Sequence, residues 1–520
     1  MSEADAFYIT TPIYYVNDVP HLGHAYTTIA CDALARFMRL DGKRVMFLTG
    51  TDEHGQKVEK SAQAAGEEPQ AFTDRVSRRF RDLTVKLGAT NDDFIRTTEP
   101  RHTRASQAIW KALVAAGDIY LGSYAGWYSV RDEAFFAESE LSKGEGGTRC
   151  APSGAPVEWV EEPSYFFRLS RWQQPLLDLY ARQPDFILPE SRRNEVVSFV
   201  KSGLQDLSVS RTSFAWGVPV PNDADHIMYV WLDALTNYIT AAGYPDTDCD
   251  IYRTFWPADV HMVGKDILRF HAVYWPAFLM AAGVAPPGRV FAHGWWTVEG
   301  QKMSKSLRNV VEPFHLVDTY GLDQVRYFLL REVPFGNDGD FSQAALIGRV
   351  NSDLANDFGN LAQRTLSMIH NNCAAAMPEP GPLGDDDEAL LAGAHGMLGD
   401  IRAMMARQAI HEALARIWTE IRAANGYVDR QAPWALRKSD PDRMATVLHV
   451  LAEVIRHVAI LAQPVVPLAA GRILDQLAVP ADARDFRALG AAGMLAPGTP
   501  LPKPEGVFPR HVAAGAAKAS

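Results

Sequence analysis

The 520-residue chain is 47% hydrophobic and 22% charged, ordinary for a globular protein of roughly three domains. Its 51 basic and 62 acidic residues leave a net charge of −11, which excludes a broadly cationic nucleic-acid coat, so any RNA contact must be a local basic patch. No continuous apolar run reaches membrane-spanning length, MSEADAFYIT lacks a signal-peptide profile, and Cys31, Cys150, Cys249 and Cys373 are scattered; a cytoplasmic chain with reduced thiols and no membrane or DNA partner is expected.

In chain order, Phe7 to Thr11 reads as a buried strand, closed into a loop by Pro12 and Asn17-Asp18. Leu22, Ile29, Leu34, Phe37 and Leu40 then recur at helical spacing, with Gly42 as C-cap. His21 and His24 fall at the mouth of this strand-loop-helix unit, three residues apart on one face of the first turn. The free N–H groups and positive potential of a helix N-terminus suit a triphosphate. Gly23 lets a flat purine approach the backbone, and the two imidazoles can donate to phosphates. The competing reading is a pair of capping or surface histidines.

Lys43 to Leu48 reads as a second strand, running into Gly50-Thr51-Asp52-Glu53-His54-Gly55. Ligands gather at the carboxyl ends of parallel strands, which makes that polar cluster a candidate site. Residues 116–165 carry more Gly and aromatics and suggest short strands, and helical segments follow to about 218. Strands return over His226–Trp231, Asp259–Val263 and Val290–His293. Lys302-Met303-Ser304-Lys305-Ser306, after Gly300, is a loop without apolar periodicity whose lysines suit a pyrophosphate leaving group; a solvated Lys/Ser loop is the alternative. From about 340 the pattern is helical. Met444, Val447, Leu448, Leu451, Val454 and Ile455 mark one amphipathic helix, started by Asp440-Pro441.

His21-Leu22-Gly23-His24 followed by Lys302-Met303-Ser304-Lys305-Ser306 resembles the two ATP-handling signatures of class I aminoacyl-tRNA synthetases. With the stretches below, about residues 5 to 510 resemble the methionyl-tRNA synthetase family of the bacterial type. The resemblance implies an α/β fold: a Rossmann-like catalytic domain (1–115 and 226–300) with a small connective insertion (116–225). A signature-loop and stem-contact region (301–345), an all-α anticodon-binding bundle (346–510) and a disordered tail (511–520) follow. It implies ATP with Mg2+, L-methionine and tRNA(Met) as reactants. His21, His24, Lys302 and Lys305 would be catalytic, with Gly23, Gly264, Asp266 and Ser304 also on the nucleotide.

The same resemblance implies a methionine site of Ile13, Tyr15, Asp52, Trp231, Ala234, Leu235, Tyr238, Ile267, His271 and Trp275. Asp52 would pair with the α-ammonium, and aromatic and aliphatic walls suit a thioether. Seven residues separate Trp231 from Tyr238, which predicts one helical face. Read without the family, Asp52 is a strand-end cap and the aromatics a core stripe. Asn360, Arg364 and Trp434 match anticodon-reading positions, where single-stranded bases are splayed and stacked; a solvated helix face and a loop anchor are the alternatives.

Two departures matter. Many relatives carry a zinc knuckle in the insertion, but here Ser129, Asp132, Cys150 and Ser153 stand at the ligand positions and only Cys150 suits structural zinc, so no metal is expected. No added β-barrel is evident at the C-terminal side, which implies a monomer. Three rivals stay open at this point: a class I synthetase for another amino acid, a catalytically silent RNA-binding relative, and a simple nucleotidylyltransferase. An editing insertion of the isoleucine, leucine or valine type would not fit in 116–218.

Overall fold

The computed structural model describes residues 6–16, 19–132, 134–136, 138–144, 147–302 and 309–512. The chain divides into two compact units, one of Met1–Pro20, Met46–Val85 and Asn91–His293, the other of His21–Val45, Lys86–Thr90 and Gly294–Ser520.

The first unit is built on a seven-stranded sheet. Its strands are β1 (Ala6–Thr10), β2 (Tyr14–Tyr15), β3 (Arg44–Asp52), β4 (Asp93–Arg96), β5 (Ile187–Leu188), β6 (Val260–Gly264) and β7 (Val290–His293). The order is β5-β7-β6-β1-β3-β2, with β4 also on β3. β1 and β6, β6 and β7, β3 and β2, and β3 and β4 all pair in parallel. Buried positions run almost unbroken along β1, β3 and β7, as in a sheet covered on both faces. β1 lies between β3 and β6, so the strand order reverses beside Thr10, where a parallel sheet opens a crevice at its carboxyl ends. Gly50 sits so close to β4 that a Cβ would come within 2.0 Å of the Ile95 carbonyl oxygen; only glycine fits there.

Two local expectations are corrected. The strand predicted to reach Trp231 ends at Met228; Trp231 lies on helix Val230–Leu235, and Thr236 separates that helix from helix Asn237–Ala241, which carries Tyr238. Val230 and Trp231 have strand propensity, but near-complete burial of this segment decides the outcome. The insertion also holds longer strands than expected. Ile119–Ser129 and Glu158–Phe167 form an antiparallel pair from Ile119 opposite Phe167 to Tyr128 opposite Glu158, their strand pattern diluted by Gly122, Gly126 and Pro163.

The second unit begins with helix Leu22–Leu40, capped at Asp41 with Gly42 following at φ 86°. A three-stranded sheet (Trp296–Val298, Gln301–Lys302, Gly339–Phe341) precedes a run of helices ending with Pro467–Gln476. The fully buried Arg326 ties the unit together. It pairs with Asp32 at 2.7 Å and donates to the carbonyls of Leu87, Pro464 and Val465. Burial raises the Asp32 carboxyl pKa, but Arg326 and Arg36 outweigh it and hold the group below its usual range. Helix Pro441–Ala462, capped by Asp440 as expected, is long and apolar enough to cross a bilayer by length and composition, contrary to the sequence reading; 94% of that stretch is buried inside the protein, which marks a core helix.

Candidate functional site

In the first unit, β2 and β3 bring Tyr15 opposite Asp52 at the carboxyl edge of the sheet. Asp52 is buried, and the chain after it is locked by Glu53, fully buried, whose carboxylate takes two hydrogen bonds from Arg96 at 2.7 and 2.8 Å and one from Thr98. The Trp216 indole donates to the Glu53 carbonyl. Tyr15 donates to the His54 carbonyl at 3.3 Å.

The predicted aromatic walls converge in the same unit. Tyr238 and His271 are joined by a 2.7 Å hydrogen bond, and the Tyr238 and Trp275 rings lie 6.1 Å apart. The proton positions follow from the partners. His271 Nδ1 faces the Ile267 carbonyl at 2.9 Å, which can only accept, so Nδ1 carries the proton and Nε2 accepts from the Tyr238 hydroxyl. Burial pushes the His271 pKa down to about 4, against smaller opposing effects of Ile267 and Asp266, so the ring is neutral near pH 7. Ile13, Tyr15, Trp231 and Ile267 flank the core that contains Leu235, Tyr238 and Trp275, and Ala234 is buried beside Leu235. Gly264 ends β6, and Asp266, two residues on, is exposed.

Behind these walls stand groups the sequence reading did not single out. His261 stacks on Tyr238 with centroids 4.1 Å apart, accepts from the Trp275 indole at 3.3 Å and donates through Nδ1 to Thr10 at 2.9 Å. Phe270 lies flat on Trp231, 3.6 Å away and 6° from parallel. Phe270 and His261 were visible only as residues beside or within apolar runs, a pattern that core packing produces equally well. His54 stood in the marked polar cluster, but nothing in sequence tied it to a partner 179 positions away.

In the second unit, His21 is the N-cap of helix Leu22–Leu40 and His24 its third residue. His21 Nδ1 accepts from the Gly23 N–H and His24 Nδ1 from the His21 N–H, both at 3.1 Å, a reciprocal capping box with rings 3.8 Å apart. Each neutral ring therefore carries its proton on Nε2, as a donor. Burial, then His21, holds the His24 pKa well below the ordinary value, consistent with the neutral form. A Cβ on Gly23 would press against the His21 ring at 3.0 Å. Capping uses Nδ1 of each ring and places the proton on Nε2, so the two alternatives posed from sequence do not exclude each other.

The second signature starts on a hairpin of the same unit. Lys302 pairs with Thr297 across antiparallel strands, and Asp340 accepts from Thr297 and the Gly300 N–H at 2.7 and 2.8 Å. Ser304 and Lys305 lie outside the described residues. Asn360 and Arg364 are exposed on helix Asn360–Asn372, and the Arg364 guanidinium lies 5.4 Å from the ring centre of Trp434. Trp434 is on the short helix Pro433–Ser439 and 48% exposed, available for stacking.

At the knuckle positions, Asp132 accepts from Ser129 at 2.9 Å and from Ser153, while Arg131 donates to the Ser153 carbonyl at 2.6 Å. Cys150 is buried, and its backbone pairs with Ser142. Among the described residues, no group of three or more His, Cys, Asp or Glu side chains is arranged to hold a metal ion. The hydroxyl and carboxyl groups bind one another, and the set does not fit structural zinc.

Comparison with known proteins gives a consistent result. Residues 7–366 match the family model "tRNA synthetases class I (M)" and residues 377–515 match "Anticodon binding domain of methionyl tRNA ligase". The methionine--tRNA ligase of Mesorhizobium japonicum is 61% identical over 508 residues, 98% of each chain, and that of Rhizobium meliloti 59% identical over 513 residues, 99% of each. The Mycobacterium tuberculosis methionyl-tRNA synthetase solved with methionyl-adenylate superposes with a TM-score of 0.95 at 55% identity, covering 97% of this chain and 100% of that one.

Proposed function

The chain belongs to the methionyl-tRNA synthetase family of class I aminoacyl-tRNA synthetases, and from that membership we propose that it ligates L-methionine to tRNA(Met). The methionine carboxylate attacks the α-phosphate of ATP, releasing pyrophosphate and leaving methionyl-adenylate. A terminal ribose hydroxyl of the tRNA, the 2′ in this family, then attacks the activated carbonyl and AMP leaves. Both steps are driven by positioning and charge stabilisation. The observation that carries the reading is the likeness over 97% of the chain to a relative solved with methionyl-adenylate.

The neutral Tyr238–His271 pair and the Trp231, Ile267 and Trp275 walls suit a thioether, and the buried Asp52 suits the α-ammonium. The Nε2 donors of His21 and His24, with Lys302 and Lys305, are assigned to the phosphates. Gly23, Gly264, Asp266 and Ser304 complete the nucleotide set, with Ile13, Tyr15, Ala234 and Leu235 lining the amino acid. Asn360, Arg364 and Trp434 are assigned to the anticodon, supported by an exposed ring beside an exposed guanidinium. Mg2+ belongs to the nucleotide. We further read the protein as a monomer without zinc that acts in the cytoplasm, where cysteine thiols stay reduced.

ATP–pyrophosphate exchange with purified protein and each of the twenty amino acids, without tRNA, tests the reading. Exchange that depends on methionine alone is expected. Exchange with another amino acid discards the pocket assignment, and none at all in folded protein discards adenylation.

A further inference from the structure

We propose that Asp233 is a positioning residue that fixes the distance between the two ends of the methionine site through His54 and His102; this rests on the reading that Asp52 and helix Val230–Leu235 hold methionine. Asp233 is fully buried on that helix, between Trp231 and the Ala234-Leu235 wall. One carboxylate oxygen accepts from His54 Nδ1 at 2.7 Å and the other from His102 Nε2 at 2.6 Å. His54 is two residues past Asp52, at the end of β3. His102 is on helix Pro100–Ala115, and its Nδ1 lies 3.3 Å from the Thr240 hydroxyl on helix Asn237–Ala241. One carboxylate thus ties the ammonium end of the site, the side-chain wall and a supporting helix to a common point.

Packing does not explain the choice of residue. A buried ion with its partners is generally no more stabilising than apolar side chains of the same volume. Burial raises the Asp233 pKa, yet the His54 and His102 interactions outweigh it and keep the carboxyl well below the usual range, hence ionised. What the ion supplies is geometry. Both oxygens are committed, each to a ring whose direction it fixes, and Arg96 holds the intervening Glu53 through both of its oxygens. A loop so anchored cannot slide along helix Val230–Leu235, and misplacement by about 1 Å at a substrate-positioning group is enough to lose ~100-fold in rate. The span from Asp52 to the Trp231–Leu235 wall then acts as a gauge for the length and shape of the amino-acid side chain.

The test is steady-state ATP–pyrophosphate exchange on the full chain, comparing wild type, Asp52→Asn, His54→Leu, His54→Asn and Asp233→Asn, with methionine and its sulfur-free isostere norleucine. His54→Leu is expected to raise the methionine KM at least about tenfold and lower the methionine-to-norleucine preference, with the ATP KM within about twofold. His54→Asn places an amide N–H at the Nδ1 position and is expected to restore the methionine KM to within about threefold of wild type. An unchanged methionine KM in His54→Leu overturns the proposal. So does equal loss in His54→Leu and His54→Asn, or loss spread evenly over both KM values and kcat, because either marks a general structural role. Asp233→Asn is read by the same KM split in the fraction that remains folded, and the two His54 variants decide the question where it does not fold. Absence of methionine-dependent exchange in wild type refutes the functional reading itself, and Asp52→Asn without effect on the methionine KM refutes the assignment of the ammonium end.

Discussion

Acidification from about pH 7.5 to about pH 5 spans the range in which an ordinary histidine gains its charge, and His271 is the group on which methionine binding should then depend. Its Nε2 accepts from Tyr238, and protonation would force the Tyr238 hydroxyl to turn from donor to acceptor inside a buried wall. Because the native pKa is lowered, the competent neutral form is present above it and lost only as pH falls through about 4. At about pH 5 roughly one ring in ten is then charged and affinity falls ~1.1-fold from this group, whereas a ring at the ordinary ~6.5 would weaken binding ~30-fold if only the neutral form binds. Isothermal titration of methionine across this range reads the difference, with His271→Gln as the variant that cannot titrate. A ~30-fold weakening with a midpoint between about 6 and 7, absent from His271→Gln, would refute the assigned tautomer and environment. The same shift has a cost in stability: as pH falls from ~6.5 toward about 4 the unfolded chain takes up the proton first, worth up to ~3 kcal/mol.

Lys305→Ala should lower the single-turnover adenylation rate at least about tenfold with little change in tRNA affinity; an unchanged rate removes the lysine from the phosphate site. His21→Ala deletes the acceptor for the Gly23 N–H, costing about 1 kcal/mol at the helix start, and should also slow adenylation; thermal melting and exchange are measured together, and a loss of stability alone would leave His21 only a cap. Trp434→Ala should raise the tRNA KM by roughly fivefold or more, from ~1–3 kcal/mol of lost stacking, while exchange without tRNA is unchanged; an unaltered tRNA KM contradicts the anticodon assignment. Metal analysis should find no zinc, and one zinc per chain would overturn the reading of the Ser129–Asp132–Ser153 contacts.

Short-range physics was legible in the sequence where a residue's chemistry had one common use. Asp440-Pro441 starts a helix because the carboxylate caps and proline costs nothing at the first position, and the structure has that cap. The alternation of strands and helices gave the parallel sheet for the same reason. The segment after Met228 was not legible, because Val230 and Trp231 locally favour a strand and only the near-complete burial of the segment makes the helix. Nor was the Asp233 bridge: local patterns cannot say that His54 and His102 will share one carboxylate. The methionine-site and anticodon residues were named through family resemblance, since single aromatics and an Asn/Arg pair look the same in a core or on a solvated face.

The buried Arg326 also sets an order of events during synthesis. Helix Leu22–Leu40 contributes Asp32 to a joint whose remaining carbonyls belong to Leu87, Pro464 and Val465. At ~5–20 residues per second the ribosome reaches Val465 roughly twenty seconds to a minute and a half after finishing that helix. Throughout that interval Phe37, buried in the finished protein, lacks the Phe486 ring that packs against it. The helix bearing the first signature word is thus made early, and the joint that holds its Asp32 closes late.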